Sequence, residues 1–341
     1  MANERFVNAL SRKEQNIPPI WFMRQAGRYH KHYQALRQKH SFMDLCKIPE
    51  LAAEVAFGPV DEFDFDLAIL FSDLLFPLEA LGMGLEYTEG GPRLGWYLED
   101  VKSIKKLKSV DDSIGFMDFQ KKALSFTREK IPKQKSVIGF VGGSWTLFAY
   151  ATNGSHDGNL TVSKRNVALR KKFFPIITDF LKRNIALQLE SGAEVVMIFD
   201  TAAGELSLPD FKEIIVPYVN EFATSFPGKI GYYGKSTTES HIKLVEKIKP
   251  LAGIGFDHRL NLANSLKKSK KGFIQGNFDQ SMLFLEKNDF IKYLKKYIKP
   301  IKKLSLSDRA GWVSGLGHGV LPKTPEDNVK RFIEVIREEF A

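Results

Sequence analysis

The amino-acid sequence predicts an α/β protein built as a single (β/α)8 barrel of the TIM type across residues 1–341. Eight short apolar runs alternate with longer amphipathic stretches, and no Pro- or Ser-rich linker divides the chain. Short runs rich in Val, Ile, Phe and Tyr are typical of strands buried on both faces, as in a parallel sheet. Because these strands alternate with helices in one uninterrupted chain, a closed barrel is favoured over an open doubly wound sheet.

The predicted elements follow one another in a regular order. The predicted strands are residues 19–24, 68–73, 136–142, 194–200, 229–234, 252–257, 272–277 and 311–318, of which the last is the least strand-like. The predicted helices are residues 49–63, 115–130, 163–191, 209–226, 238–248, 280–298 and 325–340. Ser163 and Thr238 are the expected N-caps of two helices, and Pro209 and Pro325 fit the first turn of two others.

Most of the predicted strands end in a polar or glycine-rich cluster. Examples are Arg24-Gln25, Ser72-Asp73, Asp200-Thr201 and Gly317-His318-Gly319. In a (β/α)8 barrel the carboxyl ends of all strands form one mouth, and active sites lie there. We therefore expect an active site at this mouth, although the pattern does not say which reaction it carries out.

The composition excludes several classes of protein. The chain has 341 residues, of which 43% are hydrophobic, and no run approaches the roughly 18 apolar residues of a membrane span. Residues 1–16 are polar and lack the apolar region of a secretory signal, so we expect a cytoplasmic protein with no membrane partner. Cys46 is the single cysteine, which excludes a disulfide framework, cysteine-rich zinc sites and iron–sulfur ligation.

The formal net charge is +10, which fits either a nucleic-acid or membrane surface or an anionic small molecule. The lysines cluster, as in residues 267–271 and 295–303, without alternating aromatic side chains that would stack bases. We therefore expect no nucleic-acid partner and an anionic substrate, which a positive field attracts. No metal site is predicted, because the seven histidines form no HExxH motif and have no cysteine partner. We expect His30 and His32 to be exposed.

Two groups on predicted strand ends carry charge. Arg24 and Arg28 lie four residues apart in WFMRQAGRYHKHY, and Gly27 between them would let the backbone approach a ligand. Two guanidiniums on one short loop fit a carboxylate or a phosphate, unless they neutralise carboxylates of the barrel itself. Asp73 ends an otherwise apolar strand, so it either caps the following turn or faces the cavity. Burial would raise the pKa of Asp73, whereas donors from a ligand would keep it ionised.

Three further side chains are candidates with a structural alternative. His318 lies among glycines in GLGHGV, which indicates an unusual backbone path and a placed imidazole, but a structural role is equally open. Tyr150, in SWTLFAYAT, is either a core aromatic or a site residue. Thr201 follows the strand 194–200 and is either a helix cap or a ligand contact.

Six segments, in their order and spacing, resemble the uroporphyrinogen decarboxylase family. They are PPIWFMRQAGRYHKHY, ILFSDLL, GFVGGSWTL followed by Tyr150, IFDT, QGNFD and LGHGVLPKTPEDNV. The resemblance spans almost the whole chain and implies a single-domain (β/α)8 barrel, a homodimer, and an enzyme with no cofactor and no metal. The implied reaction converts the four acetate side chains of uroporphyrinogen III to methyl groups, giving coproporphyrinogen III in haem biosynthesis.

The resemblance also implies which residues form the site. The residues expected to bind the substrate are Arg24, Gln25, Ala26, Gly27, Arg28, Asp73, Tyr150, Thr201 and His318. The expected catalytic residues among them are Asp73, Arg24, Tyr150 and His318. Ser144, Gly315 and His258 depart from the family pattern, in which Pro, Asn and Trp are usual, and they leave the geometry of their loops open.

This chemistry fits these residue types. Protonation of a pyrrole carbon creates an electron sink in the substrate, carbon dioxide leaves, and the enamine carbon is protonated to a methyl group. A carboxylate near the pyrrole N–H groups stabilises the positive charge that develops, and Asp73 is the expected one. Arg24 and Arg28 would bind substrate carboxylates. The proton donor stays open among Arg24, Tyr150, His318 and water, and His318 is expected to titrate nearest neutrality.

Two other functions remain open at this point. A related barrel that moves methyl groups to or from a corrinoid would need a zinc site of His and Cys side chains, which one cysteine cannot supply. A non-catalytic barrel that binds tetrapyrroles or nucleic acid would not need Asp73 together with both arginines.

Overall fold

The computed structural model describes residues 2–88 and 90–341. Its strands are β1 (Leu67–Ile69), β2 (Glu86–Thr88), β3 (Gly91–Arg93), β4 (Ser136–Gly142), β5 (Val196–Asp200), β6 (Ile230–Gly234), β7 (Gly253–Gly255), β8 (Phe273–Phe278) and β9 (Trp312–Leu316). In the first half of the chain its α-helices are α1 (Glu4–Ser11), α2 (Lys31–Lys39), α3 (Phe42–Lys47), α4 (Pro49–Phe63), α5 (Phe76–Leu78), α6 (Val110–Ser113), α7 (Asp118–Lys130) and α8 (Ser144–Asn153). The second half adds α9 (Thr161–Arg165), α10 (Val167–Glu190), α11 (Leu208–Ser225), α12 (Glu239–Val245), α13 (Leu262–Lys268), α14 (Lys287–Lys302), α15 (Leu306–Arg309) and α16 (Glu326–Phe340).

The main sheet contains seven parallel strands in the order β1-β4-β5-β6-β7-β8-β9, which is also their order along the chain. Parallel neighbours need a crossover connection, and the helices between successive strands supply it. Every residue of these seven strands is buried, because helices cover the outer face and side chains fill the inner one. The curled parallel sheet confirms the predicted barrel class.

The first predicted strand, residues 19–24, is much shorter than expected. Ile20 forms an isolated parallel bridge with Ser314 of β9. The amide of Ser314 donates to the carbonyl of Pro19 at 2.9 Å, and the amide of Asp66, next to β1, donates to the carbonyl of Ile20 at 3.0 Å. This segment therefore joins the two edge strands of the sheet. It pairs over so few residues because the chain turns after Phe22, where the amide of Gln25 donates to the Phe22 carbonyl at 3.0 Å.

Several helix boundaries agree with the sequence, and two N-terminal assignments do not. Helix α4 has the predicted bounds, and Thr238 caps α12. Ser163 is not an N-cap: it is buried inside α9, and its hydroxyl lies 2.8 Å from that of Thr152. Pro325 precedes α16 as its N-cap rather than lying in its first turn. In the chain outside Met1 and Glu89, no helix has the length and apolar character to cross a bilayer.

Candidate active site

The loop after β1 carries Asp73, which is partly exposed. One oxygen of its carboxylate accepts a hydrogen bond from the amide of Leu75 at 2.8 Å, so Asp73 caps the turn and is still reachable from solvent. Burial is the main influence on the pKa of Asp73 and raises it. The Tyr87 hydroxyl, the Leu75 amide and the positive charge of Arg24 act against this increase. Asp73 is therefore a carboxylate that further donors would keep ionised.

Arg24 lies beside the loop that carries His318. Its φ of 60° is in the left-handed region, which non-glycine residues rarely adopt. The stem of Arg24 packs against Gly319, where a Cβ atom would lie 2.5 Å from the arginine Cδ. The Arg24 guanidinium lowers the pKa values of both Asp73 and His318. Three predicted site residues from three separate parts of the chain therefore lie within electrostatic reach of one another.

The other residues of the RQAGR segment differ in role. The side-chain amide of Gln25 is buried and donates to the carbonyl of Leu67 at 2.9 Å, so it anchors the loop to β1. Ala26 is buried in a small apolar cluster, and Gly27 is half-buried. Arg28 is exposed, and its guanidinium has no hydrogen bond or ion pair to any residue in 2–88 or 90–341. Arg24 thus acts on the pKa of Asp73 without forming an ion pair with it, whereas Arg28 acts on the pKa of Tyr33.

His318 is held by Tyr233 of β6, which the sequence prediction missed. The two rings are nearly parallel, with an interplanar angle of 12° and centroids 6.0 Å apart. The Tyr233 hydroxyl donates to the carbonyl of Gly317 at 2.8 Å and lies 3.1 Å from Nδ1 of His318. A carbonyl can only accept, so the single hydroxyl proton goes to Gly317, and His318 must donate from Nδ1 to the Tyr233 oxygen. The network therefore leaves Nε2 of a neutral His318 as an acceptor.

The charge state of His318 differs from the expectation of a group near neutrality. Burial, followed by the positive charges of Arg24 and Lys235, lowers the pKa of His318 to about 4. The imidazole is therefore neutral at pH 7, and its pKa lies further below neutrality than that of an ordinary histidine. This residue is suited to accept a hydrogen bond at Nε2 rather than to supply a proton from an imidazolium.

Tyr150 lies near the end of α8, and its half-buried ring packs against the hydrophobic core. Its hydroxyl oxygen is 2.5 Å from Nδ1 of His156, a residue that the sequence prediction did not connect with the site. Burial and the negative charge of Asp73 raise the pKa of Tyr150, so it stays a phenol at neutral pH. Arg24 acts in the opposite direction on the same group, which places Tyr150 in the electrostatic neighbourhood of both.

Thr201 follows β5, and its hydroxyl is buried without a hydrogen-bond partner in the described part of the chain. The adjacent Asp200 is fully buried, and burial raises its pKa to about 6. The Thr146 hydroxyl donates to Asp200 at 2.5 Å, and the Tyr218 hydroxyl donates to its other oxygen. Thr146 also accepts from the Ala202 amide at 3.0 Å. This network fixes the end of β5 and leaves the Thr201 hydroxyl available to a ligand.

The three departures from the family pattern have local explanations. Ser144 replaces the usual proline and bonds through its hydroxyl to Thr178 at 3.0 Å. At Gly315 a Cβ atom would lie 2.5 Å from the Gln275 amide nitrogen, so this barrel interior has no room for a larger residue there. His258 packs against Gly317. Any side chain at position 317 would clash with His258. None of them displaces Asp73, Arg24, Tyr150 or His318.

One group of potential metal ligands is present among the described residues. His30, Glu62 and Glu326 offer ligand atoms within 4.8 Å of one another. Its members belong to the helical layer, since His30 caps α2, Glu62 lies in the last turn of α4 and Glu326 begins α16. His30 is fully buried and lies 2.6 Å from Glu62, so the expectation that it is exposed is wrong. The group contains no cysteine, and Glu326 already accepts from the Lys31 amide.

Comparisons with known proteins agree on one family. The family model for uroporphyrinogen decarboxylase matches residues 1–339. A uroporphyrinogen decarboxylase of Chlorobium phaeobacteroides is 32% identical over 99% of this chain and 98% of its own length. A uroporphyrinogen decarboxylase of Francisella tularensis subsp. novicida is 34% identical over 98% of both chains.

Solved structures share the fold at lower identity. A methyltransferase from Methanosarcina mazei superposes with a TM-score of 0.78 at 18% identity, covering 99% of this chain and 98% of that one. A vitamin-B12-independent methionine synthase from Listeria monocytogenes, described as putative, gives 0.59 at 10% identity and covers 96% and 98% of the two chains. At these identities the likeness concerns the fold alone. By its sequence over almost its full length, the chain belongs to the uroporphyrinogen decarboxylase family.

Proposed function

We propose that the carboxyl end of this barrel binds uroporphyrinogen III and decarboxylates its four acetate side chains, giving coproporphyrinogen III. The family makes the chain a carboxy-lyase of porphyrin biosynthesis. The observation that carries the assignment of the site is the position of Arg24. Its charge acts on the ionisation of Asp73, Tyr150 and His318, which come from the loop after β1, from helix α8 and from the loop after β9.

Arginine side chains bind the substrate carboxylates in this proposal. The exposed guanidiniums of Arg24 and Arg28 have no partner among the described side chains, so carboxylates can occupy them without breaking an internal ion pair. Guanidinium forks bind carboxylates through two parallel hydrogen bonds, which fixes orientation as well as charge. Lys235 adds positive charge at the same mouth. The positive field of a chain with net charge +10 favours approach of this anion.

Asp73 stabilises the positive charge that develops on the substrate. When a pyrrole carbon is protonated, the ring becomes an electron sink, and the pyrrole N–H groups become stronger donors. Those N–H groups would keep the Asp73 carboxylate ionised against the effect of burial. Carbon dioxide then leaves, and the electrons of the broken bond form an enamine. Protonation of its terminal carbon gives the methyl group, and loss of the proton first added to the ring restores the pyrrole, so each acetate takes up one proton in net terms and releases one CO₂.

The acceptor at Nε2 of His318 and the buried Thr201 hydroxyl position the substrate in this scheme. A neutral imidazole that accepts at Nε2 can bind a pyrrole N–H or a protonated carboxyl group. Thr201 can donate to a carboxylate or accept from an N–H. Both groups bind without adding positive charge, so they do not hold the leaving carboxylate more tightly than the transition state requires.

The test is incubation of the purified protein with anaerobically prepared uroporphyrinogen III and analysis of the porphyrins after oxidation. We expect products that have lost one, two, three and finally four carboxyl groups, and we expect turnover to survive dialysis against a chelator. A protein that leaves uroporphyrinogen unchanged would refute the function. A strict requirement for an added ion would refute the cofactor-independent reaction.

The remaining proposals concern the state of the protein. We expect one domain over residues 1–341, a homodimer of twice the 38.7 kDa chain mass, and a cytoplasmic location. Light scattering of the purified protein tests the dimer. Lysines in clusters without stacking aromatics support the absence of a nucleic-acid partner, and steeply salt-dependent DNA binding would contradict it.

A further inference from the structure

A second histidine lies at the mouth, on the loop that follows α8. The helix ends at Gly154, whose φ of 73° is in the left-handed region and whose amide donates to the Tyr150 carbonyl at 3.0 Å. This turn folds the chain back, and His156 comes to lie against Tyr150. The rings of His156 and Tyr150 are tilted by 39° with centroids 5.3 Å apart, and Nδ1 is 2.5 Å from the phenol oxygen.

The other ring nitrogen of His156 faces an acid. Its Nε2 is 3.4 Å from Oδ1 of Asp157, and the same oxygen lies 3.0 Å from Nζ of Lys235. The His156 side chain is 21% exposed and that of Asp157 is 65% exposed. A continuous path of polar groups therefore leads from Tyr150 through His156 to groups in contact with solvent.

The charges around His156 determine which atoms carry protons. Burial lowers the pKa of His156, the positive charges of Lys235 and Arg24 act in the same direction, and Asp157 opposes them. At neutral pH the imidazole therefore carries one proton. The carboxylate of Asp157 can only accept, which favours that proton at Nε2. Nδ1 is then an acceptor, and the Tyr150 hydroxyl donates to it.

We propose that His156 is a positioning residue for Tyr150: it binds the phenol proton through Nδ1 and turns the phenol oxygen towards the substrate. The proposal rests on the function proposed above, in which Tyr150 contacts the tetrapyrrole. While His156 is neutral, Tyr150 accepts hydrogen bonds from the pyrrole N–H groups of the bound substrate. Protonation of His156 reverses the bond, because imidazolium Nδ1 donates to the phenol oxygen and releases the phenol proton towards the substrate.

The kinetic test compares two substitutions at position 156 with a control substitution elsewhere. His156→Asn keeps an acceptor near the place of Nδ1, so its kcat should stay within about threefold of wild type. His156→Leu keeps the bulk but removes the acceptor, and loss of one such hydrogen bond should lower kcat by about tenfold with little change in KM. His40→Leu, at the end of α2, is the control for removing a half-buried histidine and should leave kcat unchanged.

A double-mutant cycle separates positioning from a general structural effect. In a Tyr150→Phe background His156→Leu should cause no further loss, because the bond that it removes is already absent. Equal losses in both backgrounds, or a His156→Asn variant as slow as His156→Leu, would overturn the proposal. The wild-type pH profile should also contain a group with a pKa below 6.5 that both His156 variants lack. The groups facing His156 are Tyr150, Asp157, Lys235, Arg24 and His318.

A measurement without substrate keeps this proposal distinct from the proposed reaction. Histidine resonances are followed by NMR against pH, and the signal of His156 is identified by its loss in His156→Asn. Tyr150→Phe should raise the pKa of His156, because a phenol that donates to neutral Nδ1 favours the neutral form. An unchanged or lower pKa would refute the assigned bond even if uroporphyrinogen is decarboxylated. An inactive protein in which this pKa rises would refute the reaction alone.

Discussion

The mouth of the barrel contains two tyrosine–histidine pairs of similar geometry and different surroundings. Tyr233 and His318 are both held by the barrel wall, since Tyr233 is fully buried in β6 and its hydroxyl bonds to the Gly317 carbonyl. Tyr150 and His156 lie at the end of a helix and on the loop that follows it, where His156 is 21% exposed.

The two pairs differ in whether their histidine can gain or lose a proton. In the pair on the wall, the carbonyl of Gly317 fixes the phenol proton of Tyr233, and burial with two nearby cations holds the pKa of His318 at about 4. In the pair on the loop, His156 connects through Asp157 to solvent. A site that must bind a polyanion and also move protons can therefore use one pair for each task. The predictions below test this division.

The largest expected effect comes from Asp73→Asn. The variant removes the negative charge that stabilises the ring cation and that raises the pKa of Tyr150 in the loop pair. We expect kcat to fall by about 10²–10³, the usual loss when one fixed electrostatic group of this kind is removed. The measurement is coproporphyrinogen formation at saturating substrate. Asp61→Asn on the exposed face of α4 is the matched control, and equal activity of both variants would contradict this role.

Arg24→Lys should have the next largest effect, although the charge is retained. The ammonium cannot reproduce a two-pronged contact with a carboxylate, so we expect kcat/KM to decrease by about 10- to 100-fold. Steady-state kinetics with uroporphyrinogen III measure it, with Arg331→Lys on α16 as control. If Arg24→Lys retains wild-type kcat/KM, positive charge alone is sufficient, and the guanidinium geometry plays no part.

Tyr233→Phe and Tyr150→Phe compare the two pairs directly. Removing the Tyr233 hydroxyl leaves the Gly317 carbonyl without its donor in a buried place, which should lower the free energy of unfolding by about 1–3 kcal/mol. Because Tyr150 is only half-buried, removing its hydroxyl leaves polar groups that water can reach. The free energy of unfolding should therefore fall by about 1 kcal/mol or less. Chemical denaturation measures both. A larger loss of unfolding free energy for Tyr150→Phe than for Tyr233→Phe would show that the pair on the loop, and not the pair on the wall, is the rigid one.

At neutral pH the smallest effect is expected for His318→Asn, which changes how stability depends on pH. The ordinary pKa of an unfolded histidine is near 6.5 and that of folded His318 is about 4, so between these values the unfolded chain binds the extra proton. His318 therefore contributes stability that is complete above pH 6.5 and decreases as the pH falls towards 4. The slope is at most about 1.4 kcal/mol per pH unit.

Denaturation curves at several pH values measure this slope as a difference between wild type and His318→Asn. The variant should lose stability less steeply than wild type below pH 6.5. Asp200, whose pKa is about 6, changes stability in the opposite direction in both proteins, so it cancels in the difference. Parallel curves for the two proteins would show that His318 is not held neutral.

The sequence was sufficient for most of the fold. Short runs of β-branched and aromatic residues, separated by amphipathic stretches, record burial on both faces of a parallel sheet, and that pattern depends only on near neighbours in the chain. It failed at residues 19–24, where a single bridge at Ile20 and an early turn replace a strand. The hairpin of β2 and β3 was also missed, because strands of three residues are too short to show a period of two.

The candidate site was predicted in part. Arg24, Asp73 and His318, which lie within electrostatic reach of one another, were proposed because barrel topology sends strand ends to one mouth. Tyr87, Tyr233 and His156 were not proposed as site residues. Tyr233 lies inside an apolar run, and the only sequence signal for it was the polar Gly234-Lys235 that ends the same strand.

By itself the sequence determined the order of the strands, the polar residues at their ends and the family to which they belong. These properties follow from local patterning and from the rule that parallel strands point the same way. The tertiary structure alone decided which tyrosine meets which histidine and which nitrogen carries the proton. Tyr233 and His318 are 85 positions apart, and the pKa of His318 depends on burial and on charges from other strands, which no run of neighbouring residues encodes.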